Sequence, residues 1–454
     1  MYRTYAEQIE NAIKIYPDFW DYYRIHRDKS VNDFFDSPNR FIEETFVYAG
    51  KKLLAPINNY SRGNYDSRSS QLSTPRAAHS ISTFLLGSII AHDLLDGAFT
   101  GLYLGNTDSV VGGFYEFSYI WTLTCLYHDC GYYFEQDKKK LLKYSIYVNS
   151  WWHDTVENID RKAYKSLFLG LNRFMQGEKI SQSIWRKRIR SLYTTEVRYA
   201  QNIERYYSDE LKNAYINSPK LLYFHNYEYP VKFPFRELNI ISSYFEYRLL
   251  SPSNTEWACI DHGIAGGITF FDNILKNYQE SYKIARSINQ NIEFNDFLNP
   301  NDYNHQMHFS FNQLPVFAYI ADCIINHNIW SARPGTIEAE VYSRFFLDSL
   351  IGENYHKVNF YENPLLFILA VADSIEPYKL FSNCSIDGAQ YHKKELFGII
   401  NNTYINIDGS NIHIKPPENC MNALTRRIDD MKNWIDIKAD FNFSQREFIL
   451  QPIR

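Results

Sequence analysis

Glycine and proline are scarce in this chain, at 19 and 16 of 454 residues, against the usual ~7 % and ~5 %. Long flexible linkers are therefore not expected. Cysteine is scarce too. Cys125, Cys130, Cys259, Cys323, Cys384 and Cys420 are scattered without a C-x-x-C pair, which excludes a disulfide framework. No apolar run approaches the ~20 residues that cross a bilayer; the longest lie around FLLGSIIA and LLFILAVA. The opening MYRTYAEQIENAIK has neither the apolar core nor the cleavage site of a signal peptide. These absences predict a cytoplasmic protein without membrane contact. Charge of one sign is not in surplus: 47 basic against 52 acidic residues give a net −5. That excludes a histone-like or polybasic chain and leaves room only for a local basic groove. A G-x-x-x-x-G-K-[ST] loop and a G-x-S-x-G elbow are both missing, so neither a P-loop nucleoside triphosphatase nor a serine hydrolase is indicated.

What remains is a globular composition, 45 % hydrophobic and 22 % charged, in a chain long enough for one to three domains at roughly 150 residues each. Aromatic residues reach 17 %, with 37 Tyr and 32 Phe. A compositional bias explains this, as does base stacking in a single-strand channel. Apolar positions at i, i+3 and i+4 predict helices over Tyr5–Ile15, Ala77–Leu95, Tyr115–Tyr127, Glu256–Asn277, Pro315–Asn326 and Pro364–Ile375. Asn363-Pro364 and Leu314-Pro315 are suitable helix starts. Residues 58–75 are polar and turn-rich and read as a long loop. Residues 136–235 alternate charged and aromatic positions and read as a helical insertion. From residue 386 the character changes. TYINIDGSNIHIKP predicts a β-hairpin about its Asp-Gly turn, followed by a helix near Met421–Ile435 and a strand at Glu447–Pro452. The expected architecture is thus mainly α. A helical bundle occupies 1–385, with an insertion at about 136–235, and a small α+β appendage covers 386–454.

Most of the thirteen histidines sit in mixed polar contexts, among them His26, His225, His356, His392 and His413. A second group lies inside apolar helices, where a polar ring is costly without a partner. Arg76-Ala-Ala-His79-Ser80 opens one such helix, and WTLTCLYHDCGYY carries His128-Asp129 at the end of another. His262 stands in WACIDHGIAGG, His327 ends FAYIADCIINHNIW, and Asp373 closes LLFILAVADSIEP. Each comes from a different helix, and a bundle can converge such side chains in its core. Imidazole with carboxylate suits one or two first-row divalent ions, Mn, Fe, Co, Ni or Zn, with Mg also admissible. Adjacent His128 and Asp129 cannot share a helix face, but a bend at the helix end, permitted by Gly131, can turn both inward. His92-Asp93 and His153-Asp154 are decoys. His92 lies 13 residues beyond His79, about 1300° of helix rotation on and so about 140° off its face. His153 follows Trp-Trp in a charged surround with no glycine after it.

The order His79…His128-Asp129-x-Gly131…Asp261-His262…His327…Ala372-Asp373-Ser374 resembles the HD-domain superfamily of metal-dependent phosphohydrolases. Within it, Asp261-His262, His327-Asn328-x-Trp330 and a small α+β tail look most like the HD proteins of bacterial conflict and defence loci. The resemblance implies an HD-type bundle. His79, His128, Asp129 and Asp373 would hold a first ion; Asp129, His262 and His327 would hold a second, with Asp129 bridging and acting catalytically. It also implies a role for Arg76, one turn before His79, in reaching a substrate phosphate; an ion pair near the helix start is the alternative. Asp261 is either a proton shuttle or a helix-surface salt bridge. His305 and His308, at i and i+3, are candidates for substrate contact. One position departs from the pattern: many HD proteins carry Lys, His or Arg directly after His-Asp-x-Gly, and here Tyr132 stands there.

The activity so implied is hydrolysis of a phosphoester in a nucleotide or nucleotide-derived molecule. Two other functions stay open. One is a nuclease on single-stranded DNA or RNA, with Trp185-Arg-Lys-Arg-Ile-Arg190, Tyr193 and Arg198 as a strand path. The other is a nucleotide-binding sensor that gates a partner protein, with the C-terminal appendage as the surface for it. The complete ligand set favours catalysis.

Overall fold

In the computed structural model, residues 3–15, 30–42, 74–94, 102–104, 114–115, 117–132, 221–224, 227–230, 357–361, 363–380 and 392–453 are described. Single positions between 262 and 287 and between 320 and 335 complete the set. Helix predominates, with an antiparallel sheet in the C-terminal region. Three helices make the centre: α3 (Thr74–Leu94), α4 (Phe117–Tyr127) and α5 (Pro364–Ile375). Ahead of α3 lie β1 (Arg3–Thr4), α1 (Tyr5–Ile15) and α2 (Val31–Asp36).

Helix α5 starts where Asn363-Pro364 places it. The Asn363 side chain accepts from the Leu366 amide at 3.1 Å, and Pro364 occupies the first turn, where its missing N–H costs nothing. Every residue from Pro364 to Ala372 is buried, and α3 is buried all round from Pro75 to Ala91. Helices apolar on every side are core helices, so α5 lies against both α3 and α4. The α3–α4 contact depends on Gly87. A Cβ there would sit 2.1 Å from the Trp121 ring. Trp121 is buried, and its indole N–H donates to the Phe84 carbonyl at 3.0 Å and to Ser88 Oγ at 3.1 Å.

The expected hairpin is β6 (Tyr404–Asp408) and β7 (Asn411–Lys415), closed by Gly409 and Ser410. Gly409 has φ 58°, the left-handed value that a two-residue loop needs at its first position. Then follow α6 (Lys393–Asn402) before the hairpin and α7 (Met421–Met431), β8 (Ile437–Asn442) and β9 (Glu447–Pro452) after it. The strands order as β1-β6-β7-β9-β8, all antiparallel. Ile405, Ile412, Ile414, Phe448 and Leu450 fall on one face, being directly paired or two apart, and all are buried. In α7, Leu424, Ile428 and Met431 form the buried stripe, and this helix packs on α5.

Two features differ from the sequence expectation. Strand β1 comes from the start of the chain, so the sheet expected from residue 386 onward includes residues that the pattern assigned to the bundle. A two-residue strand leaves no periodic signal to read. The region 136–235, expected to be helical, contains strands β4 (Leu221–Phe224) and β5 (Tyr227–Pro230). With β2 (Leu102–Leu104) and β3 (Phe114–Tyr115) they form a second antiparallel sheet, β3-β2-β4-β5. LLYF and YEYP are rich in the aromatic residues that favour strands, and the two-residue gap between them is a hairpin length. The rest of that region, including His153 and the Trp185–Arg190 cluster, lies outside the described residues, as does nearly all of the 58–75 loop. Among the described residues no helix is long and apolar enough to cross a membrane.

Gly87→Ala should lower the melting temperature. The helix gains about 0.5–1 kcal/mol in propensity, but a methyl group driven into Trp121 costs about 1–3 kcal/mol by overpacking. Thermal unfolding of the variant against the parent measures the difference.

Candidate metal centre

Helix α3 puts Arg76 and His79 one turn apart on the same side, both buried. Helix α4 ends at Tyr127, and the chain then turns tightly: the Cys130 amide donates to the Tyr127 carbonyl at 3.0 Å and the Tyr132 amide to the Asp129 carbonyl at 3.1 Å. This bend turns both His128 and Asp129 inward, as Gly131 suggested. Gly131 also does something the sequence did not reveal. A Cβ on it would lie 1.7 Å from the His262 carbonyl oxygen and 2.6 Å from the Gly266 amide nitrogen, so its bare backbone admits the segment that carries His262.

The six residues expected to hold metal meet in one place. His79 Nε2 lies 2.9 Å from Asp373 Oδ1, 3.4 Å from Asp129 Oδ2 and 3.4 Å from His128 Nε2. His128 Nε2 lies 3.3 Å from Asp129 Oδ1 and 3.5 Å from Asp373 Oδ1. His262 Nε2 approaches Asp129 Oδ1 at 3.8 Å, and the His327 ring stands 5.1 Å from that of His128 and 5.2 Å from that of His262. Two ligand-sized groups result, His79–His128–Asp129 and Asp129–His262–His327, each with its donor atoms within 4.8 Å of one another. Asp129 belongs to both.

Ring orientation is fixed from behind. His128 Nδ1 donates to the Cys125 carbonyl and His327 Nδ1 to the Ile324 carbonyl, each at 2.5 Å. A carbonyl only accepts, so each ring carries a proton on Nδ1 and turns Nε2 toward the cluster. Burial, then the neighbouring His128 and His262, push His327 down to about 3, which keeps it neutral. Burial alone would raise both aspartates, but His128, His79, Arg76 and His262 hold Asp129 well below the usual carboxylate range. Lys379, with hydrogen bonds from His128 and His79, does the same for Asp373. The buried Cys125 thiol is pushed up by burial and by the nearby carboxylates, and points to the Ser80 carbonyl. The donor set is therefore nitrogen and oxygen, and it fits a divalent cation of the imidazole-carboxylate class.

Two neighbours escaped the sequence pattern. Glu376 is fully buried. It accepts from His79 Nδ1 at 2.9 Å and from the amides of Tyr378 and Lys379 at 2.5 and 2.7 Å. Carboxylate, imidazole and ion in that order is the usual means of fixing a metal-binding histidine. Lys379 Nζ lies 2.7 Å from Asp373 Oδ1. Both follow Asp373 by three and six residues around Pro377, where the pattern reads as a plain helix end. Tyr132, which replaces a positive charge in the resemblance, stacks on the His262 ring at 3.7 Å and 12°. The Arg76 guanidinium lies over the Tyr132 ring, with one nitrogen 3.4 Å from Asp129 Oδ2. Arg76 thus faces the cluster. Asp261, His305 and His308 lie outside the described residues, and so do the side chains of His92 and Asp93.

Comparison with known proteins adds no relative: no family model matches the chain, and neither a curated protein nor a solved structure is found similar to it.

Glu376→Ala should weaken metal binding about 10- to 100-fold with His79 itself intact; competition against a calibrated chelator reads this directly. Metal uptake should also release protons. Burial and Lys379 disfavour a charged His79, but Asp129, Asp373 and Glu376 outweigh them and push it up to about 9. At pH 7 an ion must displace that proton, so apparent affinity should rise with pH until about 9 and then level off. Calorimetric titration in two buffers of different ionisation enthalpy counts the protons; none released at pH 7 would contradict this charge assignment.

Proposed function

We propose that this protein is an HD-type metal-dependent phosphohydrolase acting on a phosphoester of a nucleotide or nucleotide-derived molecule. One observation carries the reading: Asp129 is shared by two buried groups of histidines that reach it from separate parts of the chain. Such a carboxylate suits an ion pair as a bridge. His79, His128, Asp129 and Asp373 would hold the first ion, and Asp129, His262 and His327 the second. When bound, the ions would supply hydroxide from water at neutral pH and neutralise charge on the phosphoryl oxygens.

The chain's own residues do the rest. The Cys125 and Ile324 carbonyls and Glu376 hold three rings with Nε2 inward. Arg76, braced on Tyr132, offers a guanidinium whose fork suits a phosphate oxygen. Burial keeps bulk water from the Asp129 side, which strengthens every electrostatic contact there. Once the ion has displaced the His79 proton, three carboxylates (Asp129, Asp373 and Glu376) against two cations (Arg76 and Lys379) leave the protein groups one charge negative, and a single divalent ion makes the set positive. A site that becomes cationic on loading suits a phosphate and not a neutral substrate. The full ligand set supports hydrolysis over a purely sensory role.

The test begins with elemental analysis. Purified protein should carry roughly one to two equivalents of transition metal, and joint replacement of His128 and Asp129 by Ala should remove most of it. Against a panel of nucleoside phosphates and p-nitrophenyl esters, His79→Ala or Asp373→Ala should lower turnover by about two orders of magnitude or more. His262→Ala and His327→Ala should keep the first ion yet lose most turnover. Unchanged metal content in the double variant would sink the proposal.

A further inference from the structure

The geometry points to Lys379 as the residue that binds the substrate's phosphoryl group at the mouth of the metal centre. It would supply the positive charge that Tyr132 lacks. The inference rests on the reading of this site as a metal-dependent phosphohydrolase, and it adds a contact that neither the spacing of ligands nor the resemblance assigns.

The first observation is exposure. The side chains of His79, His128 and Asp129 are 2 %, 0 % and 3 % exposed, and those of Arg76 and His262 are 7 % and 6 %. Asp373 and Lys379 stand apart at 14 % and 18 %. Among the described members of the cluster, solvent therefore reaches the site past Asp373 and Lys379. An anion arriving from outside meets that ammonium before it meets Arg76.

The second observation is that Lys379 is placed by the fold. Its amide donates to Glu376 Oε1 at 2.7 Å, the same oxygen that accepts from His79 Nδ1. A second bond runs from that amide to the Glu376 carbonyl at 3.1 Å. One buried carboxylate thus sets both the His79 ring and the start of the Lys379 side chain. Nζ ends 2.7 Å from Asp373 Oδ1, an atom that also faces His79 Nε2 and His128 Nε2. An ammonium held beside a candidate ligand oxygen lies next to whatever that ligand's ion binds.

The third observation concerns the other cation. Arg76 is turned onto Asp129 and laid over Tyr132, on the buried side. The two cations hence flank the cluster from different sides, Arg76 beside Asp129 and Lys379 beside Asp373. A lysine has three rotatable donors on a flexible stem. It can keep Asp373 and still give an N–H to a phosphoryl oxygen.

Inorganic phosphate is the probe, titrated calorimetrically into manganese-loaded protein, with metal content and melting temperature measured on the same samples. Lys379→Ala and Lys379→Met should hold as much metal as the parent, melt cooperatively, and bind phosphate about tenfold more weakly or worse, the usual weight of a charge-assisted hydrogen bond. Lys379→Arg should recover most of the affinity. Equal phosphate affinity in Lys379→Ala and the parent overturns the proposal. So does a loss of phosphate binding that merely follows a loss of metal, because Lys379 would then serve only to hold Asp373. A parent protein that takes up no metal overturns the underlying reading instead, and is recognised before any phosphate is added.

Discussion

Two carboxylates of a helical core, Asp129 buried within it and Asp373 at its solvent edge, govern this structure. Asp129 and Asp373 stay ionised where a lone charge would be expelled, because the chain surrounds them with nitrogen. Four imidazoles, one guanidinium and one ammonium converge on them from helices and turns far apart in sequence. Neither half is tenable alone. Remove the carboxylates, and the four rings lose the groups they converge on, while His128 and His327 still give Nδ1 to backbone carbonyls. Remove the rings, and Asp129 sits as an anion in a dry interior at a cost of several kcal/mol. A divalent cation could satisfy the nitrogen and oxygen lone pairs of this cluster together.

Close backbone approach is what lets these pieces meet. Gly87 takes the Trp121 ring against α3, and Gly131 takes the His262 carbonyl against the bend after α4. The two glycines act at different places. Gly87 sets how near α4 lies to the helix that bears His79, and Gly131 sets how near the His262 segment lies to Asp129. In a chain with little glycine, both stand where a side chain would separate the groups that must touch.

Much of this was legible one residue at a time. Asn363-Pro364 and Asp408-Gly409 are local signals, and α5 and the β6–β7 hairpin lie where they say. His79, His128, His262, His327 and Asp373 were conspicuous because polar groups inside apolar runs need partners, and the partners are one another. Glu376 and Lys379 were not legible, because the ring that Glu376 holds, His79, lies on the distant α3 helix. Their only trace is spacing: Glu376 follows Asp373 by three residues, nearly one turn. The β4–β5 hairpin is hidden in the sequence for a different reason. Aromatic and charged residues alternating in a long segment fit two periodicities, helical and strand, and the pattern alone does not separate them.

The chain's first strand has a consequence in time. Thr4 pairs with Tyr404, 400 positions on, and Tyr5 is bound at both ends: its amide donates to the Thr403 carbonyl and its hydroxyl to the Ser82 carbonyl, at 2.7 Å each. Ser82 lies one turn from His79. At about 5–20 residues per second of synthesis, the first strand waits on the order of 20–80 s for its partner to leave the ribosome. Throughout that wait Tyr5 and Ile9, both fully buried at the end, have no sheet to cover them. The helix that carries Arg76 and His79 is made early, yet one of its tethers is fastened only when residues near 400 arrive. The tether behind the candidate metal centre is therefore fastened only after residue 404 has been made, long after His79 itself.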